Sequence, residues 1–215
     1  LLQEPIAAAM AYGFDNSENQ NWLVYDLGGG TFDVALISSK DGILTVLGHS
    51  GDNFLGGKDF DLKIVEEIIT PAITEKYNLK DFDRNNKKYE AVFAQLKYAA
   101  EKAKIELSQR DDAVISLDDS LLGVRDRSGD DIYLDIEISR DQFNALIAEK
   151  LDESIQATRE TLEKAGLSPH DVERIVFVGG PTHYRPLRDK VAFELRIAAS
   201  TDVNPMTAVA EGAAV

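Results

Sequence analysis

The sequence predicts an α/β fold, in which helices pack on one main sheet. Three observations support this class. Residues 22–49 contain three short apolar runs separated by turn residues, which is the pattern of an antiparallel meander. Residues 174–178 form a continuous apolar segment of the kind that lies buried on both faces of a sheet. Residues 139–166 have the periodicity of a long amphipathic helix.

The composition is that of a globular protein with an acidic surface. Of 215 residues, 44% are hydrophobic, and 38 acidic against 23 basic residues give a net charge of −15. Such a charge repels nucleic acids and anionic membrane surfaces, so we expect neither as a partner. No apolar run reaches the roughly 18 residues of a membrane span, and the amino terminus lacks the basic flank of a secretory signal. Because the chain has no cysteine, a reducing compartment is favoured, and we expect a cytoplasmic protein.

The first elements along the chain are the three strands of the meander. They are separated by three glycines and by a Lys-Asp-Gly turn, and they are predicted at 22–27, 32–38 and 43–49. A helix follows, and Pro71 is expected to kink or interrupt it. Its apolar stripe consists of Ile64, Val65, Ile68 and Ile69. A second helix is predicted over residues 87–108.

A smaller unit is predicted to be inserted into the main core. Two strand-like segments, at 113–117 and 132–138, are joined by a turn-rich stretch and are expected to form an exposed hairpin. We therefore interpret residues 57–140 as an inserted α+β subdomain. Residues 1–56 and 141–215 then form the core subdomain.

The sequence predicts both ends of the third helix. Ser139 and Gln142 have the spacing of a capping box, in which each side chain bonds the backbone of the other residue. Gly166 is expected to end this helix. The buried strand that follows leads directly into Gly179 and Gly180, and a strand that runs through glycines into a helix is suited to binding phosphate.

The segment VYDLGGGTFDVALI, residues 24–37, places Asp26 and Asp33 on either side of a glycine loop. Backbone N–H groups of such a loop can converge on a phosphate, but this loop joins strand to strand and lacks the lysine of a Walker loop. Two carboxylates would repel the phosphate unless a cation lay between them, and Mg²⁺ fits that role. A tight hairpin, whose glycines adopt positive φ and whose aspartates bond local amides, is an equally good interpretation. The loop consists of Gly28, Gly29 and Gly30.

The stretch YDLGGGTFD resembles the second phosphate motif of the DnaK family of heat-shock chaperones (heat shock protein 70), within the superfamily that includes actin and the sugar kinases. Further segments resemble family motifs in the same order: EPIAAAMAYG (4–13), LGGKDFD (55–61), AAEKAKIELS (99–108), VFVGGPT (176–182) and DVNPMTAVAEGAAV (202–215). The resemblance implies the second lobe of an actin-like (ribonuclease H-like) ATPase domain, with an inserted subdomain. It also implies ATP or ADP and Mg²⁺ as ligands.

The family pattern implies roles for the residues around the glycine loop. Asp26 and Asp33 would hold Mg²⁺ through water and orient the attacking water. Thr31 would contact the terminal phosphate, and the three glycines would offer their amides. Glu4, in the Glu-Pro position of the family, would face the same phosphates.

Three polar residues of the second helix are candidates for the nucleoside side of the site. Glu101, Lys104 and Ser108 stand at i, i+3 and i+7 and therefore share one helix face. The residues alone favour a solvated face with an ion pair between Glu101 and Lys104. The resemblance implies instead that this trio contacts ribose and adenine.

The resemblance adds three residues that follow the buried strand. Gly179 and Gly180 would let the backbone approach the nucleotide. His183 stands where the family usually has an arginine stacked over adenine.

Family members also contain a first ATPase lobe and a peptide-binding domain, which the 215 residues do not resemble. They work with J-domain co-chaperones and nucleotide-exchange factors, which are the partners that the resemblance implies here. We expect the full-length protein to hydrolyse ATP and these 215 residues alone not to do so.

Two other functions stay open from the sequence. A relative of the sugar kinases would share the glycine hairpin and phosphorylate a small hydroxyl compound. A chaperone-like scaffold with a degenerate nucleotide site would account for positions where the family pattern is not kept, namely Pro181, His183 and Met206.

Overall fold

The computed structural model describes residues 3–14, 18–118, 123–200 and 203–214. The chain divides into two compact units. The core unit comprises Leu1–Gly57 and Glu149–Val215, and the inserted unit comprises Lys58–Ala148. The second division therefore falls after Ala148, whereas the sequence placed it at residue 140.

The described residues form seven strands and seven α-helices, joined by short 3₁₀ and π turns. The strands are β1 (Gln20–Leu27), β2 (Phe32–Lys40), β3 (Ile43–Asp52), β4 (Asp112–Leu117), β5 (Leu134–Ser139), β6 (Arg174–Val178) and β7 (Ala199–Ser200). The helices are α1 (Glu4–Ala11), α2 (Gly57–Ile64), α3 (Thr70–Tyr77), α4 (Glu90–Leu107), α5 (Arg140–Lys164), α6 (Arg185–Leu195) and α7 (Ala208–Ala213). No helix of the described part of the chain is long and apolar enough to cross a membrane.

The core unit is built on a five-stranded sheet with the order β3-β2-β1-β6-β7. β1, β2 and β3 form the predicted antiparallel meander, whereas β6 runs parallel to β1 and β7 runs parallel to β6. The register pairs Asp26 directly with Asp33. The two carboxylates that flank the glycine loop therefore stand on neighbouring strands at the same end of the sheet. The mixture of sheet and helices confirms the predicted α/β class.

Tyr25 fixes the strand position next to Asp26. Its side chain is fully buried, and its ring contacts Phe32 and Phe177 with centroid distances of 4.8 and 5.5 Å. Its hydroxyl forms a hydrogen bond with Ser154 of α5. Aromatic contacts and a satisfied buried hydroxyl together hold β1 in one position.

Close packing of α1 and α7 sets the position of Glu4 at the start of α1. A Cβ atom on Gly212 of α7 would lie only 1.6 Å from the carbonyl oxygen of Ala7, so only glycine fits there. The Tyr12 hydroxyl, just beyond α1, lies within hydrogen-bond distance of the carbonyls of Phe177 (2.9 Å) and Val203 (3.1 Å). These contacts attach α1 to the carboxyl end of β6.

The inserted unit contains α2, α3, α4 and the antiparallel pair β4–β5. The interruption expected at Pro71 takes the form of a π-helical turn, Val65–Ile69, between α2 and α3. Pro71 itself lies in the first turn of α3, where a residue without an N–H group is tolerated. Val65 and Ile69 of the predicted apolar stripe are buried.

Both predicted ends of α5 are confirmed. The Ser139 N–H donates to the Gln142 side chain at 2.9 Å, and the Gln142 N–H donates to the Ser139 hydroxyl at 3.2 Å. After α5, Gly166 adopts a φ of +71°. The unit boundary lies inside this continuous helix because its first turns pack in the inserted unit, where the ring of Phe143 contacts that of Phe60.

Candidate functional site

The glycine loop is a tight connection between β1 and β2. The Gly28 N–H donates to the Thr31 carbonyl at 2.8 Å, and the Gly28 carbonyl accepts from the Gly57 N–H at 3.0 Å. A Cβ atom on Gly56 would lie 2.5 Å from Gly30 Cα, so the backbone after β3 packs directly against the loop. The loop is therefore fixed by backbone contacts on one side.

The reason for glycine differs among the loop positions. None of the three glycines has a positive φ, which contradicts the suggestion that the turn needs them for backbone conformation. A Cβ atom on Gly29 or Gly30 would meet nothing within 4 Å. Neither the conformation of the turn nor its packing among the described residues thus explains why Gly29 and Gly30 are glycines. The space beside both residues is open.

The amides of the loop are not equivalent. The Gly28 N–H is used inside the hairpin, so the expectation that all three glycines offer an amide to a phosphate needs correction at this position. Among the described residues, the N–H groups of Gly29 and Gly30 have no intramolecular hydrogen-bond partner. Two neighbouring donors next to open space are suited to an anion.

A cleft of about 290 Å³ lies in the core unit beside the paired aspartates. It is lined by Glu4, Pro5, Ala8, Asp26, Asp33, Val34, Ala35, His49, Ser50 and Val209. The structure thus brings together Glu4, Asp26 and Asp33, three of the four side chains expected to act in catalysis. Thr31, the fourth, is exposed at the end of the loop.

The cleft is an environment that disfavours further negative charge. Burial, followed by repulsion from Asp33 and from Glu4, raises the pKa of Asp26 to about 6. The pKa of Asp33 is also raised, by burial and by Glu4, although His49 opposes the shift. Carboxylates whose pKa is raised by burial and by neighbouring carboxylates attract a cation, because a positive charge relieves both the repulsion and the cost of burial.

The donor set suits a cation held through water. No group of three or more acidic, histidine or cysteine side chains in the described residues converges closely enough to hold a metal ion directly. Mg²⁺ keeps several of its waters and is usually bound by one or two carboxylates together with phosphate oxygens. Asp26 and Asp33 beside a glycine loop fit that chemistry.

Gly179 is required by the structure for two reasons. It adopts a φ of +93°, and a Cβ atom there would lie 2.1 Å from the Leu27 carbonyl oxygen. The start of the turn after β6 thus packs against the end of β1. Gly180 is less constrained, since the closest atom to an added Cβ is the Met206 sulfur at 3.8 Å. His183 is exposed at the end of the 3₁₀ turn that Gly180 begins.

The remaining three candidates lie on α4 or directly after its last residue, in the inserted unit. Glu101 is exposed. Lys104 forms an ion pair with Asp61 of α2 at 2.6 Å, where the sequence alone favoured a pair with Glu101. The Ser108 hydroxyl donates to the Ile105 carbonyl at 2.6 Å, as a residue at a helix end commonly does.

Two residues near these sites were not anticipated from the sequence. His49 belongs to β3, and pairing of β3 with β2 brings it to the cleft through its partner Ala35. The alternation of polar and apolar residues along β3 indicates which side chains of the strand face solvent. It does not indicate which residues of β2 they pair with. No feature of the sequence distinguishes Asp61 from Asp59, the other acidic residue of α2.

Comparison with known proteins defines the class of the chain. Residues 1–215 match the family model described as Hsp70 protein. The chain belongs to the Hsp70 chaperone family, which confirms the resemblance. It is 37% identical over 215 residues to a chaperone protein DnaK of Mycoplasmopsis synoviae (strain 53). The match covers 100% of this chain and 34% of that relative, so the chain spans about a third of the relative's length.

Proposed function

We propose that this chain is the second lobe of the nucleotide-binding domain of a DnaK-type chaperone. In this proposal it contributes the second phosphate loop and the adenosine pocket for ATP or ADP with Mg²⁺. The observation that carries the proposal is the open side of Gly29 and Gly30 next to the acidic cleft. A hairpin without a ligand has no need for glycine at two positions that face open space.

Each residue of the cleft and of the glycine loop has its own role in binding the phosphates. The amides of Gly29 and Gly30 donate to phosphate oxygens, and Thr31 contacts the terminal phosphate. When bound, Mg²⁺ supplies the positive charge that offsets both the phosphates and the protein carboxylates. Asp26 and Asp33 would hold Mg²⁺ through water and would orient the attacking water, and Glu4 of α1 would face the same phosphates. Positioning and electrostatics of this kind provide most of the catalysis of phosphoryl transfer.

The remaining candidate residues are assigned to the nucleoside. Glu101, Lys104 and Ser108 contact ribose and adenine, and the backbone at Gly179 and Gly180 approaches the nucleotide. His183 covers the adenine ring from its exposed position.

The activity of the whole protein includes domains beyond these residues, because the chain spans only about a third of its relative. A first lobe supplies the opposing wall of the cleft, and a peptide-binding domain binds clients. J-domain co-chaperones and nucleotide-exchange factors are the proposed partners, with a cytoplasmic location. Membership of the Hsp70 family favours this function over that of a sugar kinase.

A charge-removing variant of Asp26 tests the proposal in the full-length protein. Asp26→Asn keeps the size of the side chain and removes its charge, so we expect ATP turnover to fall by a factor of at least about ten. Nucleotide affinity should also lose most of its dependence on Mg²⁺. Both are measured by single-turnover hydrolysis and by calorimetry with and without Mg²⁺.

The matched control is Asp41→Asn, which makes the same change at the opposite end of β2. Asp41 lies in a turn with a φ of +52°, which asparagine tolerates. This variant should keep wild-type turnover. A full-length protein that shows no Mg²⁺-dependent ATP binding would contradict the proposal and favour the scaffold alternative.

A further inference from the structure

Asp61 of α2 and Lys104 of α4 form a buried ion pair within the inserted unit. The Lys104 Nζ lies 2.6 Å from Asp61 Oδ1, and the two side chains are 14% and 6% exposed. Other ion pairs are more exposed: Lys63 and Glu67 are 29% and 48% exposed, and Arg140 and Asp111 are 29% and 84% exposed. The Asp61–Lys104 pair is therefore better shielded from water than these surface pairs, and neutralisation of its charges matters more.

The carboxylate of Asp61 depends on Lys104. Burial raises the pKa of Asp61, Lys104 opposes that shift, and Glu101 adds to it. Lys104 acts on this carboxylate both through its charge and through a hydrogen bond. A buried carboxylate is stabilised mainly by the charge and the hydrogen bonds beside it.

We propose that Asp61 is a positioning residue, which holds the Lys104 ammonium in the orientation that contacts the nucleoside. This inference rests on the proposed function, in which Lys104 reaches ribose or adenine. A free lysine side chain has many rotamers, and ordering it on binding lowers affinity. Asp61 keeps Lys104 ordered before the nucleotide arrives. Because an ammonium has three donors, it can bond Asp61 and still donate to a nucleoside oxygen or nitrogen.

The test compares two ligands in the full-length protein. ATP carries a nucleoside, whereas inorganic tripolyphosphate offers only the phosphates. For Asp61→Asn we expect the dissociation constant of Mg²⁺–ATP to rise about fivefold, because Lys104 loses its charged partner and its fixed orientation. The constant for Mg²⁺–tripolyphosphate should stay within about twofold of wild type. Asp135→Asn, an exposed change of the same kind on β5, should alter neither.

Further variants separate positioning from a purely structural role. Asp61→Glu retains the charge and should recover at least part of the ATP affinity. In a Lys104→Met background, Asp61→Asn should cause no additional loss, because the residue through which it acts is gone. Thermal melts identify variants that do not fold, and if Asp61→Asn is among them, Asp61→Glu and the double variant provide the same comparison.

Three results would overturn the inference. Unchanged ATP affinity of folded Asp61→Asn would show that Lys104 needs no anchor. An equal loss for ATP and tripolyphosphate would assign Asp61 a general structural role. An undiminished effect in the Lys104→Met background would show that Asp61 does not act through Lys104. A wild-type protein that binds no ATP would instead refute the proposed function itself.

Discussion

Protonation of Asp26 changes both the stability of the folded chain and the charge of the cleft. Its pKa of about 6 in the folded chain is above the ordinary aspartate value of 3.8. The folded state therefore binds this proton more tightly than the unfolded state does. The contribution of Asp26 to stability is fully present below about pH 4 and is lost as the pH rises through about 6.

Replacing Asp26 by asparagine should remove this dependence. At pH 7.5 the variant avoids the cost of a half-buried charge next to Asp33, so we expect its free energy of unfolding to rise by about 2 kcal/mol. Near pH 4 the two proteins should differ little. Urea unfolding at both pH values measures the difference, and an equal effect at the two values would contradict the electrostatic origin.

His183 is the residue whose identity should limit nucleotide affinity. In the full-length protein, His183→Arg should tighten ATP binding several-fold, because a planar, permanently charged guanidinium stacks on a purine better than an imidazole does. His170→Arg makes the same exchange in another exposed 3₁₀ turn and should have no effect. Identical dissociation constants for wild type and His183→Arg would leave the stacking role without support.

At the scale of elements, the contact of α7 with α1 determines where Glu4 stands. Gly212→Ala would place a methyl group 1.6 Å from the Ala7 carbonyl, and the two helices would have to separate. We expect a loss of about 2–4 kcal/mol in the free energy of unfolding. Gly48→Ala is the control, because its Cβ would meet Thr161 at an acceptable 3.4 Å. Denaturant unfolding of both variants provides the test, and equal stability would refute the packing argument.

Sequence alone predicted the elements whose signals are local. The capping box of Ser139 and Gln142, the stop at Gly166 and the buried strand β6 each depend on a few adjacent residues, and all three are confirmed. Turn chemistry and short apolar runs are decided within one or two turns of chain, so the sequence carries them directly.

Contacts between residues that are distant in the sequence could not be predicted from the same local patterns. The pairing of Lys104 with Asp61 depends on how α2 and α4 pack. Consumption of the Gly28 amide by Thr31 depends on the detailed shape of the hairpin. The arrival of His49 at the cleft depends on the strand register. Each of these contacts depends on tertiary packing. Several packings are compatible with the local sequence pattern, and that pattern alone does not show which of them forms.

At the scale of the whole molecule, residues 1–215 should fold without hydrolysing ATP. Both units have buried cores, but the cleft supplies carboxylates and amides where phosphoryl transfer also needs cations on the protein. We expect ATP binding to be orders of magnitude weaker than in the full-length protein, because half of the nucleotide's contacts are missing. Sub-micromolar affinity by calorimetry, or turnover above that of a Gly29→Leu variant, would contradict this expectation.

The parallel pairing of β1 with β6 has a consequence for synthesis on the ribosome. About 150 residues separate the ends of the two strands, and at typical rates of about 5–20 residues per second their translation takes about 8–30 seconds. Throughout that interval one edge of β1 has no neighbour, whereas the uninterrupted inserted unit can already close its own contacts. An apolar strand with an open edge invites aggregation. Nascent chains arrested before residue 174 should therefore bind a hydrophobic dye more strongly than chains of 215 residues, so that this member of a chaperone family is itself in need of protection while it is being made.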